Sequence, residues 1–95
     1  MFIVLLKFSA NKGQASQFME GHNAWIKRGF DDRVFLLVGT LQPQLGGGIV
    51  AHNTSLMDLQ SRVKLDPFVA ENIVRAEILE ITAAKADERL KFLLD

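Results

Sequence analysis

The sequence predicts an α+β domain of the split βαβ type (βαββαβ), an antiparallel four-stranded sheet with both helices on one face. Three observations carry that prediction. Apolar periodicity runs in the order strand, helix, strand, strand, helix, strand. The strands are apolar on both sides, although the helices suffice to cover only one. The chain has 95 residues, a single domain at 1–95; at that size a monomer buries only about 60–70% of the surface its unfolded chain exposes.

Each element has a local cause. Phe2 to Phe8 is a run of bulky apolar residues closed by Ser9-Ala10-Asn11-Lys12-Gly13, which reads as a strand and a turn. A helix begins at Ala15, where Ala15, Phe18, Met19, Trp25, Ile26 and Gly29 recur at helical spacing, and is expected to end near Gly29, a residue suited to a left-handed cap. Val34 to Leu41 is the strongest strand, and Gln42-Pro43-Gln44 followed by Gly46-Gly47-Gly48 turns it back into Ile49 to His52. Asn53-Thr54-Ser55 supplies caps for a second helix in which Leu56, Leu59 and Val63 share a face. A short helix from Pro67 leads into the last strand, Arg75 to Thr82, and residues 85–95 are expected to add a C-terminal helix.

Strict alternation puts Phe2, Val4, Leu6 and Phe8 on one side of the first strand and Ile3 and Leu5 on the other; in the second, Val34, Leu36 and Val38 oppose Phe35, Leu37 and Leu41. With no helices left for the second face, a homodimer packed sheet on sheet covers it most economically, a dimeric α+β barrel of about 21 kDa, twice the chain mass of 10.6 kDa. The competing arrangement is a monomer whose stripe of Ala86, Leu90, Leu93 and Leu94 folds across that face.

Composition excludes several classes of function. Eleven basic residues balance eleven acidic ones without forming blocks, so nucleic acid and anionic membrane are not expected partners and a small-molecule ligand is. The absence of cysteine removes disulfides, thiol nucleophiles and thiolate metal sites. The opening Met-Phe-Ile-Val-Leu-Leu lacks a basic leader and is soon interrupted by Lys7, so it reads as a strand and not a signal peptide. No apolar run approaches the roughly 18 residues of a membrane span, and a cytoplasmic location is expected.

His22 falls within the apolar stripe of the first helix. An imidazole there needs a partner, since burying a polar group without one costs about 1–3 kcal/mol. Asp66, in Leu65-Asp66-Pro67-Phe68, is the best candidate. An aspartate before a helix-opening proline is also an ideal N-cap, and its two oxygens allow both duties. The pair points to general acid–base chemistry, with Asp66 accepting from one ring nitrogen of His22 and the other nitrogen moving a proton. The alternative is a non-catalytic dimeric module that binds a small molecule or serves a partner enzyme, with the pair only shaping its pocket.

Other residues carry less. His52 lacks a local spacing motif for a metal site, and Gly46-Gly47-Gly48 lacks the lysine and the strand-to-helix context of a phosphate loop, so neither metal nor cofactor is expected. Trp25 belongs to the core, with a ring able to wall a cleft and stack on a planar ligand. Arg33 and Arg75 would anchor an anion only by facing the pocket.

Taken in order, Gly21-His22-Asn23-Ala24-Trp25, Leu37-Val38-Gly39-Thr40-Leu41 with Gly46-Gly47-Gly48-Ile49, and Leu65-Asp66-Pro67-Phe68-Val69 with Ala76-Glu77-Ile78 resemble the motifs of the YCII-related (YciI-like) family of dimeric α+β barrel proteins. The resemblance covers most of the chain. It implies a ferredoxin-like domain forming homodimers, with His22 and Asp66 as site residues and Trp25, Gly39 and Phe68 around a substrate pocket. It also implies cofactor-independent elimination or isomerisation of a small cyclic or enolisable substrate, as in the dehydrochlorination of a substituted hydroquinone known in the family. The chain departs from the family pattern at Thr82-Ala83-Ala84, where a proline is usual, and in its C-terminal extension.

Overall fold

The computed structural model describes residues 1–94. Strands β1 (Phe2–Phe8), β2 (Phe35–Leu41), β3 (Gly46–Ala51) and β4 (Val74–Glu80) form one sheet of order β2-β3-β1-β4. Every neighbouring pair is antiparallel. Helix α1 (Ala15–Asp31) links β1 to β2, and α2 (Leu56–Lys64) and α3 (Pro67–Ala70) link β3 to β4.

The helices cover one face. Phe2, Val4 and Leu6 of β1, Phe35 of β2, and Ile49 and Ala51 of β3 are buried there with Trp25, Leu59, Val63, Phe68 and Ile73. On the other face Leu37 and Leu79 are exposed, while Ile3, Leu5 and Val50 are half-buried. That face carries Ile3, Leu5, Val50, Leu37 and Leu79 together with the charged Lys7, Arg75 and Glu77, and among the described residues no helix packs on it.

The structure departs from expectation at several points, each with a local cause. β2 does not alternate strictly. Phe35 lies opposite Ala51 and Leu37 opposite Val50, so one extra residue is accommodated at Leu36. Such a bulge resets the side-chain pattern. Phe35 therefore joins the covered face, while Leu36 is exposed and does not share a buried face with Val34.

Helix α1 continues past Gly29 to Asp31. Gly29 is a packing position and not a cap, because a Cβ there would collide with the Phe35 ring. The left-handed residue is Arg33, at φ 60°, whose N–H donates to the Phe30 carbonyl. Gly46, Gly47 and Gly48 belong to β3 and not to the turn, since they pair with Lys7, Leu6 and Leu5 of β1. Gly46 has a φ of 136°, and a side chain there would strike the Leu6 carbonyl oxygen. β3 stops at Ala51, and β4 starts at Val74 and ends at Glu80, each slightly short of its expected C-terminal limit.

The C-terminal extension forms 3₁₀ turns over Glu88–Leu94 with a break at Leu90, in place of an α-helix over 85–95. An isolated segment of this length does not sustain an α-helix without a packed face, and Leu90, Phe92 and Leu94 are exposed. Phe92 packs edge-on against His52, ring centroids 5.4 Å apart, so the segment sits at an end of the sheet; Leu37 and Leu79 stay uncovered. Asp95 lies outside the described residues.

Candidate active site

His22 sits two turns into α1, one helical turn before the buried Trp25. Asp66 occupies the corner between α2 and α3, where its N–H donates to the Val63 carbonyl and its extended backbone, φ −65° and ψ 122°, leads into Pro67 at the first turn of α3. Its side chain caps α3, with Oδ1 accepting from the Phe68 N–H at 3.0 Å. The same Oδ1 lies 2.8 Å from His22 Nδ1. Capping and histidine contact thus converge on one oxygen. Oδ2 is buried and has no hydrogen-bond partner among the described residues.

The pair differs sharply in accessibility. The Asp66 side chain is fully buried, whereas that of His22 retains 13% exposure. The His22 ring lies face to face with Phe68, centroids 3.9 Å apart and planes 4° apart. Stacking and the Asp66 contact restrain the ring in two independent directions. With a carboxylate as the acceptor, Nδ1 carries the hydrogen and Nε2 is left as the free nitrogen.

Gly21 makes this approach of α3 to α1 close. A Cβ at Gly21 would stand 3.1 Å from Pro67 Cγ, tighter than ordinary packing allows.

His22 and Phe68 form one wall of a cleft of about 280 Å³ between α1 and the sheet. Phe8, Met19 and Ile26 make much of the remaining apolar wall, and Asn23 and Thr40 add polar groups. Its floor includes Gly39, Gly47 and Gly48. Gly47 is paired with Leu6 on one side and Thr40 on the other, so this row of the sheet carries no side chain at its centre. Among the described residues no lysine, arginine, aspartate or glutamate lines the cleft, and the Lys12 ammonium stands 5.5 Å from the ring centroid of Phe8, part of its wall.

The structure therefore brings His22, Asp66, Phe68 and Gly39 to one place. Trp25 does not join them at the cleft surface. It is 1% exposed, and its Nε1 donates to the Arg62 carbonyl at 2.9 Å, so α2 holds the ring in the core behind His22. His52 lines a separate cleft with Met1, Glu80 and Phe92. Arg33 and Arg75 are exposed and line neither cleft.

Asn23, Thr40, Gly47 and Gly21 were not legible as site residues. Asn23 directly follows His22 within the Gly21–Trp25 segment, and that placement was its signal. Thr40 and Gly47 depended on the register across the β2–β3 pair, which the bulge alters. No helix among the described residues is long and apolar enough to cross a membrane.

Sheet order, strand directions and the one-sided helix layer define a ferredoxin-like α+β fold of the dimeric α+β barrel type. The chain is similar in structure to 5-chloro-2-hydroxyhydroquinone dehydrochlorinase (TftG) from Burkholderia phenoliruptrix AC1100, solved in complex with 2,5-dihydroxybenzoquinone. The TM-score is 0.68 at 12% sequence identity, over 85% of this chain and 93% of that one. No family model matches the chain, and no curated protein matches it in sequence.

Proposed function

We propose that the chain is a cofactor-independent enzyme of the YCII-related type, using His22 and Asp66 for general acid–base chemistry on a small cyclic or enolisable substrate. The observation that carries this reading is the 2.8 Å contact between His22 Nδ1 and the buried Oδ1 of Asp66, on the wall of an open cleft. Asp66 fixes the tautomer and orientation of the ring. Nε2 takes a proton from a hydroxyl or an acidified carbon of the substrate and returns it at another atom, or gives it to a leaving group. Elimination and isomerisation both need only this transfer, and positioned proton transfer contributes about 10²–10⁴-fold.

The fold neighbour supports the class of reaction, being itself a dehydrochlorinase. The apolar side chains left bare on the uncovered sheet face support a homodimer, in which Leu5, Leu37 and Leu79 of two copies pack together and remove apolar surface from water.

One observation favours a second reading. Asp66 already has a structural duty as the cap of α3, so the pair could shape the pocket of a non-catalytic dimeric binding module. Turnover separates the two. Chloride release from 5-chloro-2-hydroxyhydroquinone and isomerisation of enol lactones are the first assays, each run with His22→Asn alongside. Turnover that vanishes in the variant supports the dyad; turnover that survives it removes His22 from the chemistry.

A further inference from the structure

The sheet has two outer strands, and their free edges differ. β2 carries the bulge between Phe35 and Leu37, a device that turns an outer strand away from further pairing. β4 pairs with β1 without a break from Val74 to Glu80 and has no strand on its other side among the described residues. Hydrogen bonds at its two ends show which groups lie along that open edge. Met1 and Ile81 exchange both main-chain bonds, at 2.8 and 2.9 Å, and the Ser9 N–H donates to the Ile73 carbonyl. Bonded pairs recur at every second residue of an antiparallel ladder, so Ile73, Arg75, Glu77 and Leu79 are the residues turned toward β1. Val74, Ala76 and Ile78 therefore point their N–H and C=O groups outward.

The side chains beside this edge are unmatched in charge. Arg75 lies directly across from Lys7, and like charges opposite one another on a sheet are destabilising. Lys7, Arg75 and Glu77 are all exposed, and none of them has an ion-pair partner among the described residues. On the helix side, a groove of about 450 Å³ runs between α2 and β4, lined in part by Leu56, Lys64, Val69, Ala76 and Ile78. Ala76 and Ile78 are only half-buried there.

We propose that β4 pairs antiparallel with β4 of a second copy of this chain, about a two-fold axis at Ala76. Ala76 then faces the partner's Ala76 and Val74 faces the partner's Ile78, so each outward N–H of this stretch meets a carbonyl. Arg75 faces the partner's Glu77, and Glu77 the partner's Arg75, a reciprocity that a closed two-fold contact requires. Each arginine gains an acid on the side away from Lys7. Centring the axis on Glu77 would keep the backbone bonds but set Glu77 against the partner's Glu77, so charge selects the first register. The partner's Val74 extends the apolar row beside Ile78, at the mouth of the groove under α2. This contact uses the edge and leaves both sheet faces free, so it rests on neither the acid–base reading nor the face-to-face homodimer. Being narrow, it forms at high protein concentration, where it joins such homodimers in pairs.

The chain has no cysteine, so one introduced cysteine reports one contact. Bonded antiparallel pairs hold their Cα atoms about 5.5 Å apart, within disulfide range. Ala76→Cys, concentrated with oxidised glutathione, should give a two-chain band on a non-reducing denaturing gel, and Glu77→Cys should stay at one chain. Face-to-face packing cannot produce the first band, because Ala76 lies on the helix side of the sheet. Arg75→Glu added to Ala76→Cys should slow cross-linking at least about tenfold, and Glu77→Arg added to both should restore it. In the unmodified chain, sedimentation velocity should show a mass that doubles with concentration. Ala76→Pro, which removes an outward N–H and spares the bonds to β1, should remove that doubling.

An unmodified chain whose mass does not change with concentration overturns the proposal, as does a folded Ala76→Cys that fails to cross-link. Equal cross-linking at Glu77→Cys, or a rate that Arg75→Glu leaves unchanged, overturns the register. The face-to-face homodimer is read separately from Leu37→Glu and the dyad from the His22→Asn assay, so a failure here is distinct from a failure of either.

Discussion

Two clefts in this chain each contain a histidine, and they are built differently. His22 has a carboxylate at 2.8 Å, fully buried and held by a backbone N–H, with an aromatic ring flat against its face. His52 follows the end of β3, meets Phe92 edge-on, and has no side-chain hydrogen bond among the described residues. A histidine in a cleft is common chemistry. What separates the first from the second is a buried acceptor whose own position is set by helix capping, which restrains the orientation of the ring before any ligand arrives.

The strongest way to break the comparison is to exchange the roles. His22→Asn should lower turnover by about 10²–10⁴-fold, while His52→Asn leaves it unchanged; initial-rate assays read both. Asparagine keeps a donor for Asp66 and loses the ring stacked on Phe68, so the stability cost should be about 0.5–1.5 kcal/mol. Comparable losses of turnover in both variants would erase the distinction.

Asp66→Ala should be the most destabilising change at either histidine. It removes the α3 cap and strands two donors, His22 Nδ1 and the Phe68 N–H. The expected cost is about 2–4 kcal/mol, or on the order of 10 °C or more in the melting temperature of a domain this small. Asp66→Asn keeps the cap oxygen and should cost less in thermal unfolding, yet still lose turnover.

The two faces of the sheet offer a further contrast. Leu37→Glu places a charge among the apolar side chains of the uncovered face, away from the cleft, where it should halve the mass seen by light scattering from about 21 kDa toward the 10.6 kDa of one chain. A wild-type protein that already weighs as one chain would contradict the homodimer.

The smallest effect is expected at Asp87, whose carboxyl is held below the usual carboxylate range by the side chain and backbone N–H of Arg89. A lowered value contributes stability above the ordinary carboxylate range that is lost as pH falls through it. The group is fully exposed, so Asp87→Asn should leave the melting temperature unchanged within error at neutral pH.

Much of this was legible in the sequence, and the exceptions share a cause. The order of elements, the Ser55 cap of α2 and the Asp66 cap of α3 follow from local signals, and the structure agrees with each. His22 was visible because a titratable ring in an apolar stripe is an anomaly that asks for a partner. What could not be read were features created by contact between distant segments. Gly29 looks like a helix terminator until the Phe35 ring is placed against it. Gly46 to Gly48 look like a turn until β1 pairs with them. Trp25 reads as a core residue with a ring able to wall the cleft, and only the second half fails, because the α2 carbonyl at Arg62 claims its N–H. The bulge between Phe35 and Leu37 reassigns the faces of β2 without leaving a residue signature.

The central claim is that the buried Asp66 carboxylate holds His22 as an Nδ1–H donor and leaves Nε2 free to move a proton. Long-range ¹H–¹⁵N correlation of the imidazole in the unliganded protein tests it directly at a pH where the ring is neutral. The account predicts the Nδ1–H tautomer, with the proton shifted downfield by its carboxylate acceptor, and a loss of that downfield shift in Asp66→Asn. An Nε2–H tautomer in the wild type, or an Nδ1 proton resonance that Asp66→Asn leaves unmoved, would contradict it.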